Sequence, residues 1–202
     1  MQMTPSTWIK SVVLYIAIGL FVPAQSAIAD TSVAADEFLK GKLNQVFEIL
    51  QKADLEQQEK SKQIEEIVTP MFDFQLMARL SLGRQYWPDL SKENRERFTD
   101  LFISRLRESY LNRITAYTDE TVTYEPPVNV DEKIHIPTYL ISKGKKIGML
   151  YKFYQSSGQW KIYDLEIQGV SIIRSYQAQF KEILQKGTFD DLLLKMQKPA
   201  ND

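Results

Sequence analysis

Apolar residues recur at three- and four-residue steps through Phe38, Leu39, Leu43, Val46, Phe47 and Leu50, which predicts an amphipathic helix over 33–52. A polar tract with Glu56, Gln57, Gln58, Glu59, Lys60 and Lys62 predicts a second helix over 55–68, ended by Pro70. A short third helix is expected over 72–82, with Gly83 as its terminator. Ser91 then caps a long helix whose stripe runs through Phe98, Leu101, Phe102, Leu106, Tyr110, Ile114 and Tyr117. Arg95, Arg97, Arg105, Arg107 and Arg113 fall mostly off that stripe and read as a solvated face, with docking as a candidate use.

After Asp119 the period shortens to two. Residues 121–124 and 128–130 predict short strands around Pro126-Pro127, and 134–141 a longer one, with Pro137 arguing for an edge or a bulge. Ile147, Met149, Tyr151 and Phe153 form an apolar face against Lys146, Gly148, Lys152 and Tyr154. Ser156-Ser157-Gly158 turns the chain into a last strand over 160–168, so short connections make the sheet antiparallel. Strict alternation there puts Trp160, Ile162, Asp164 and Glu166 on one face and Lys161, Tyr163, Leu165 and Ile167 on the other. Ile173, Tyr176, Phe180, Ile183 and Leu184 predict a helix ending at Gly187, and Thr188 caps a final one with Leu192, Leu193 and Met196. The fold class is α+β: an antiparallel sheet of four to five strands packed by helices from both ends of the chain.

The first residues stand apart from this pattern. Lys10, the apolar run 11–22 and the small-x-small triad Ala27-Ile28-Ala29 match a secretory signal cleaved before Asp30, since the run is shorter than the roughly 20 residues a spanning helix needs. Residues 1–29 are therefore expected to be removed and 30–202 to form one exported domain; the signal itself specifies export, and the bacterial periplasm fits it. With 25 basic and 26 acidic side chains, the balance leaves no footprint for nucleic acid.

Candidate chemistry is sparse. There is no cysteine and His135 is the single histidine, so a His/Cys metal cluster or a Cys-His pair cannot be assembled, and no cofactor is expected. Alternation puts His135 on the wetter face. Ser171 follows Gly169-Val170 and precedes an apolar helix, which reads as a helix cap rather than a nucleophile. Asp164 and Glu166 form the one acid-base constellation, but a carboxylate pair at a strand end serves equally to bind a helix amino terminus or a cation. The structural use is preferred.

Two blocks carry a family resemblance. Phe72-Asp73-Phe74, Met77-Ala78, Leu82-Gly83, Trp87, Phe98, Phe102 and Tyr110 make the first, and the second runs through Tyr151-Lys152-Phe153-Tyr154 and on from Gly158 to Ile173, then Tyr176, Phe180, Gly187 and Leu192. The chain resembles the MlaC family, also called the toluene-tolerance auxiliary family, departing where Gln168 replaces a frequent Glu and at Gln177, where Arg or Lys is common. The resemblance implies a soluble, monomeric periplasmic phospholipid carrier that catalyses no reaction. Its implied partners are an outer-membrane lipoprotein complex and an inner-membrane ABC transporter with an MCE-domain subunit. A binding protein for another hydrophobic ligand, such as a hopanoid or solvent molecule, is the alternative, and an acid-base enzyme using Asp164 and Glu166 a remoter one.

Such a carrier needs an apolar cavity among sheet and helices. The expected lipid-binding residues are Phe102, Leu106 and Tyr110 on the long helix, Met149, Tyr151 and Phe153 on the sheet, and Val170, Ser171 and Ile173 at the strand-to-helix turn. Tyr110, Tyr151 and Val170 are assigned by similarity to the family. Glutamate at Val170 is accordingly expected to abolish lipid retention.

Overall fold

In the computed structural model, which describes residues 25–111 and 121–198, the first stripe forms helix α1, Gln25–Leu50, and the polar tract forms α2, Gln57–Val68. Residues 1–24 of the expected leader, and Arg113, Ile114 and Tyr117 of the expected long helix, lie outside the described residues. Pro70 follows α2 in a 3-10 turn, Thr69–Met71, at a position where its missing N–H would have had no helical partner. Helix α3 is shorter than expected, Phe74–Leu82, because Asp73 takes the cap: its carboxylate accepts from the Leu76 N–H at 2.9 Å. Phe72 is extended instead and bridges to Ile162 of the sheet.

Ser91 caps α4, Lys92–Leu106, accepting from the Asn94 N–H at 3.2 Å, and the helix passes into a π-helical turn, Arg107–Leu111. Its arginines are not simply a solvated face. Arg95 donates to the carbonyls of Trp87 and Pro88, and Arg107 pairs with Glu65 of α2 at 2.6 Å.

Six strands form the sheet: β1, Thr121–Tyr124; β2, Val128–Val130; β3, Lys133–Ser142; β4, Lys145–Ser156; β5, Gln159–Ile167; and β6, Val170–Ser171. The order is β1-β3-β4-β5-β6, with β2 also pairing β3, and every pairing is antiparallel. Pro137 therefore lies in an interior strand, not on an edge. It sits between the stretches of β3 paired to β1 and β2, and its carbonyl accepts from the Glu125 N–H. A strand residue turns its N and C=O to the same neighbour, so the nitrogen without a proton faces a gap in the ladder.

A register shift corrects the expected faces of β5. Phe153 pairs with Ile162 but the preceding Lys152 pairs with Asp164, leaving Tyr163 as the extra residue of a bulge. Directly opposed residues share a face, so Ile162 joins Leu165 on the core side, and Asp164 and Glu166 turn to the other. At the end of β5, Gln168 and Gly169 have φ of +51° and +78°, a two-residue hairpin turn with both central residues left-handed.

Ser171 caps α5, Ile172–Lys186, and Thr188 opens α6, Phe189–Gln197, with a reciprocal bond from Asp191. Arg105 closes the far end of α6 by donating to the carbonyls of Lys195 and Met196 at 2.5 and 3.0 Å.

The buried apolar side chains divide into two clusters. The larger joins α3, α4, α5, α6 and the first half of α1, through Ala35 and Leu39, to the sheet at Phe98, Phe102, Phe153, Ile162 and Leu192, while Val46, Ile49, Leu50 and Ile64 form a smaller one between the end of α1 and α2. No helix among the described residues is long and apolar enough to cross a membrane.

Candidate functional site

The two clusters do not close on each other. Between them lies a cavity of about 390 Å³, within the range of roughly 300–1,000 Å³ usual for ligand pockets. Leu43, Val46, Phe47 and Leu50 of α1 form one wall, with Val68 of α2 and Met71, Phe72, Phe74 and Met77 at its base. Val122, Leu140, Ile147, Met149, Tyr151, Leu165 and Ile167 of the sheet form the facing wall. Leu106, Ser109 and Tyr110 close the side where α4 widens into its π-turn, and Ile172 completes the lining.

Nearly every group on this surface is hydrocarbon. The Tyr151 hydroxyl donates to the Met149 sulfur at 3.9 Å, and burial, with a smaller contribution from Tyr124, pushes its pKa up so that it stays neutral. Val46, Leu50, Met71, Met77, Leu106, Tyr151, Leu165 and Ile172 are buried, whereas the other lining residues, Leu43, Phe47, Leu140 and Ile147 among them, keep partial exposure. Hydrocarbon seated against this lining would leave water at a gain of about 0.8 kcal/mol per CH₂.

Asp164 and Glu166 are on the opposite face and serve the corner where β5 hands over to α5. Asp164 accepts from Ser171 Oγ at 2.8 Å, from the Ile173 N–H at 3.2 Å and from Lys152 Nζ at 2.9 Å. Glu166 accepts from Lys152 at 2.5 Å and from Arg174 at 3.2 Å. Burial opposes the Lys152 ammonium, but its hydrogen bonds to Glu166 and Asp164 outweigh that and hold its pKa above the ordinary lysine value. Both carboxylates are thus occupied in fixing the helix start. His135, expected on a wet face, is half-buried next to this network: its Nε2 lies 2.9 Å from the Tyr163 hydroxyl, and burial, then the Lys152 charge, lowers its pKa. Among the described residues no cluster of three or more His, Asp or Glu could hold a metal.

Of the residues expected at a pocket, Leu106, Tyr110, Met149 and Tyr151 line this cavity, and five others do not. Phe102 is fully buried against Tyr176 and Phe98, and Phe153 against Phe38 and Trp160, so both fill solid core. Ile173 is buried in that same cluster while its backbone N–H is held by Asp164. Ser171 is consumed as a helix cap: its hydroxyl donates to Asp164 and accepts from the Arg174 N–H at 3.1 Å. Val170 is 60% exposed, on the edge strand beyond the hairpin turn. At Gly169 the φ of +78° is one that glycine adopts freely, which suits the hairpin turn. The α1 wall and Leu165, Ile167 and Ile172 also line the cavity and are absent from the expected set. Their apolar spacing was visible, but it does not distinguish a wall from a filled core.

The MlaC protein family model matches residues 40–198. The chain is 28% identical over 122 residues to the intermembrane phospholipid transport system binding protein MlaC of Haemophilus influenzae, a match covering 57% of this chain. The chain spans 57% of the length of that curated relative. Among solved structures, a phospholipid-binding protein from Ralstonia solanacearum, determined in complex with a phospholipid, superposes with a TM-score of 0.72 at 22% identity, covering 80% of this chain and 94% of that one. At that identity the likeness is one of fold. With the family model matching residues 40–198, well over half of the sequence and all of the cavity lining, the chain belongs to the MlaC family.

Proposed function

We propose that this protein is a soluble periplasmic carrier that holds phospholipid acyl chains in the cavity between the α1–α2 unit and the sheet. The observation that carries the reading is the lining itself: an apolar surface drawn, among the described residues, from α1, α3, α4, α5 and the sheet, around a cavity of about 390 Å³. Each CH₂ withdrawn from water contributes about 0.8 kcal/mol, so a two-tailed lipid left bare would cost on the order of 20 kcal/mol and could not cross an aqueous space unaided. Membership of the MlaC family, the name of the Haemophilus relative and the lipid-bound Ralstonia structure all support this use.

In this reading residues 1–29 direct export and are removed, and 30–202 work as a single monomeric domain. Lipid passes between an outer-membrane lipoprotein complex and an inner-membrane ABC transporter with its MCE-domain subunit. No chemical step is invoked, because hydrophobic transfer is enough.

A transfer assay tests the proposal. Donor vesicles holding a fluorescent phospholipid are separated from acceptor vesicles by a membrane that passes protein but not vesicles. The label is expected in the acceptors in proportion to protein added, chemically unchanged. No transfer, or recovery of lysolipid or free fatty acid in its place, would defeat the carrier reading.

A further inference from the structure

One row of side chains on β4 runs from the core to the outside. Phe153 is fully buried, Tyr151 is 7% exposed, Met149 and Ile147 are half-buried, and Lys145 is exposed. Alternate residues of a strand share a face, so all five lie on the side that walls the cavity. The facing row of β3 keeps step, Thr138 opposite Met149, Leu140 opposite Ile147 and Ser142 opposite Lys145. The partly exposed lining residues Leu140 and Ile147 thus lead to the β3–β4 hairpin tip, and the last cavity-side residue of β4 bears an ammonium group.

Two further cations stand beside it. Lys143 and Gly144, with φ of +48° and +74°, make the turn, and Lys146 lies on the outer face, 3.5 Å over the ring of Tyr139. Neither strand contributes a carboxylate, for no Asp or Glu occurs from Lys133 to Ser156. Lys143, Lys145 and Lys146 thus gather on one hairpin tip whose own two strands carry no carboxylate, beside the lining residues Leu140 and Ile147 of the apolar cavity.

We infer that the β3–β4 tip is an anion subsite in which Lys145, with Lys143 beside it, engages the phosphate of an amphiphile whose tails lie in the cavity, favouring net-negative headgroups over zwitterionic ones. This rests on the carrier reading. The tails supply most of the affinity and the tip adds selectivity. A phosphatidylglycerol headgroup brings only negative charge to the lysines, whereas phosphatidylethanolamine brings its own ammonium as well, which they repel.

The test is a competition. Lipid-free protein is incubated with vesicles of equal phosphatidylethanolamine and phosphatidylglycerol content, repurified, and its lipid extracted and counted by class. Exposed charge pairs of this kind translate to an enrichment of about 2- to 5-fold for phosphatidylglycerol at low salt, fading at about 0.5 M salt. The double variant Lys143→Gln/Lys145→Gln is expected to carry as much lipid in the proportions of the vesicle, with an unchanged melting curve. Lys133→Gln, at the far end of β3, is expected to keep the preference. Equal proportions in the native protein, or a preference that survives the double variant, overturn the inference while leaving the carrier reading intact. Absence of lipid from every sample overturns the carrier reading itself. Inorganic phosphate, compared with chloride at matched ionic strength, separates a free anion from a headgroup: saturable phosphate binding to lipid-free protein through the same lysines would overturn the headgroup assignment. So would lysine-dependent sedimentation with anionic vesicles that leaves the carried lipid unselected, since the tip would then be a membrane-docking surface.

Discussion

Leu165 and Val170 are close in sequence and opposite in surroundings, and the account predicts opposite fates for an aspartate at each. Leu165 is 8% exposed, opposite Tyr151 in the sheet and on the cavity wall. Leu165→Asp removes a buried side chain worth about 1.5–3 kcal/mol and adds a carboxyl group with no partner, about 1–3 kcal/mol more if it stays protonated. The fold is expected to weaken by roughly 3–6 kcal/mol, within the roughly 5–15 kcal/mol a domain has available, and lipid affinity to fall on the order of a hundredfold as chains meet a polar wall. Val170, 60% exposed, should accept aspartate within about 0.5 kcal/mol and keep its lipid. Thermal denaturation reports the first quantity, and phosphorus content per repurified protein the second. Lipid lost from Val170→Asp but retained by Leu165→Asp would refute this placement of the cavity.

Three further outcomes follow from the same coordinates. Lys152→Met leaves Asp164 and Glu166 facing each other without their shared cation and should cost about 3–5 kcal/mol in a urea titration. Because the folded pKa of Lys152 is raised, its contribution is complete below the ordinary lysine value near 10.4 and fades only at higher pH, and the variant should lack that alkaline step. His135, the single histidine, has a lowered folded pKa, so its contribution is present above about 6.5 and is lost as pH falls through the folded value; its NMR titration midpoint should lie below 6.5, and one at or above it contradicts the assigned burial. Thr188→Ala removes one half of the capping box on α6 and should lower stability by about 1 kcal/mol, with lipid binding untouched.

Features set by local chemistry were legible in the sequence. Ser91, Ser171 and Thr188 cap the helices they were expected to cap, and Ile147, Met149, Tyr151 and Phe153 share a face as the alternation requires. Two kinds of information were hidden. The bulge at Tyr163 is a one-residue slip that exchanges the faces of β5, and neither neighbour of Tyr163 is a glycine or proline that would mark it. The void was hidden for a different reason: Phe102 and Leu106 stand on one helical stripe, and Phe153 and Tyr151 on one strand face, yet the first of each pair is packed on all sides and the second borders empty space. Which of two apolar neighbours meets a gap depends on how far α1 and α2 stand from the sheet, and periodicity holds no distance. Val170, assigned by similarity, is the converse case: the Gln168-Gly169 turn, with both φ positive, places it on the edge strand, where it is 60% exposed and off the cavity lining.

Native mass spectrometry of the protein taken from its producing cell, without detergent, bears most directly on the claim that hydrocarbon occupies the cavity. The account predicts a folded species heavier than the polypeptide by the mass of a phospholipid, released intact when the chain is unfolded. A bare polypeptide mass, or an adduct without fatty acyl chains, would contradict it.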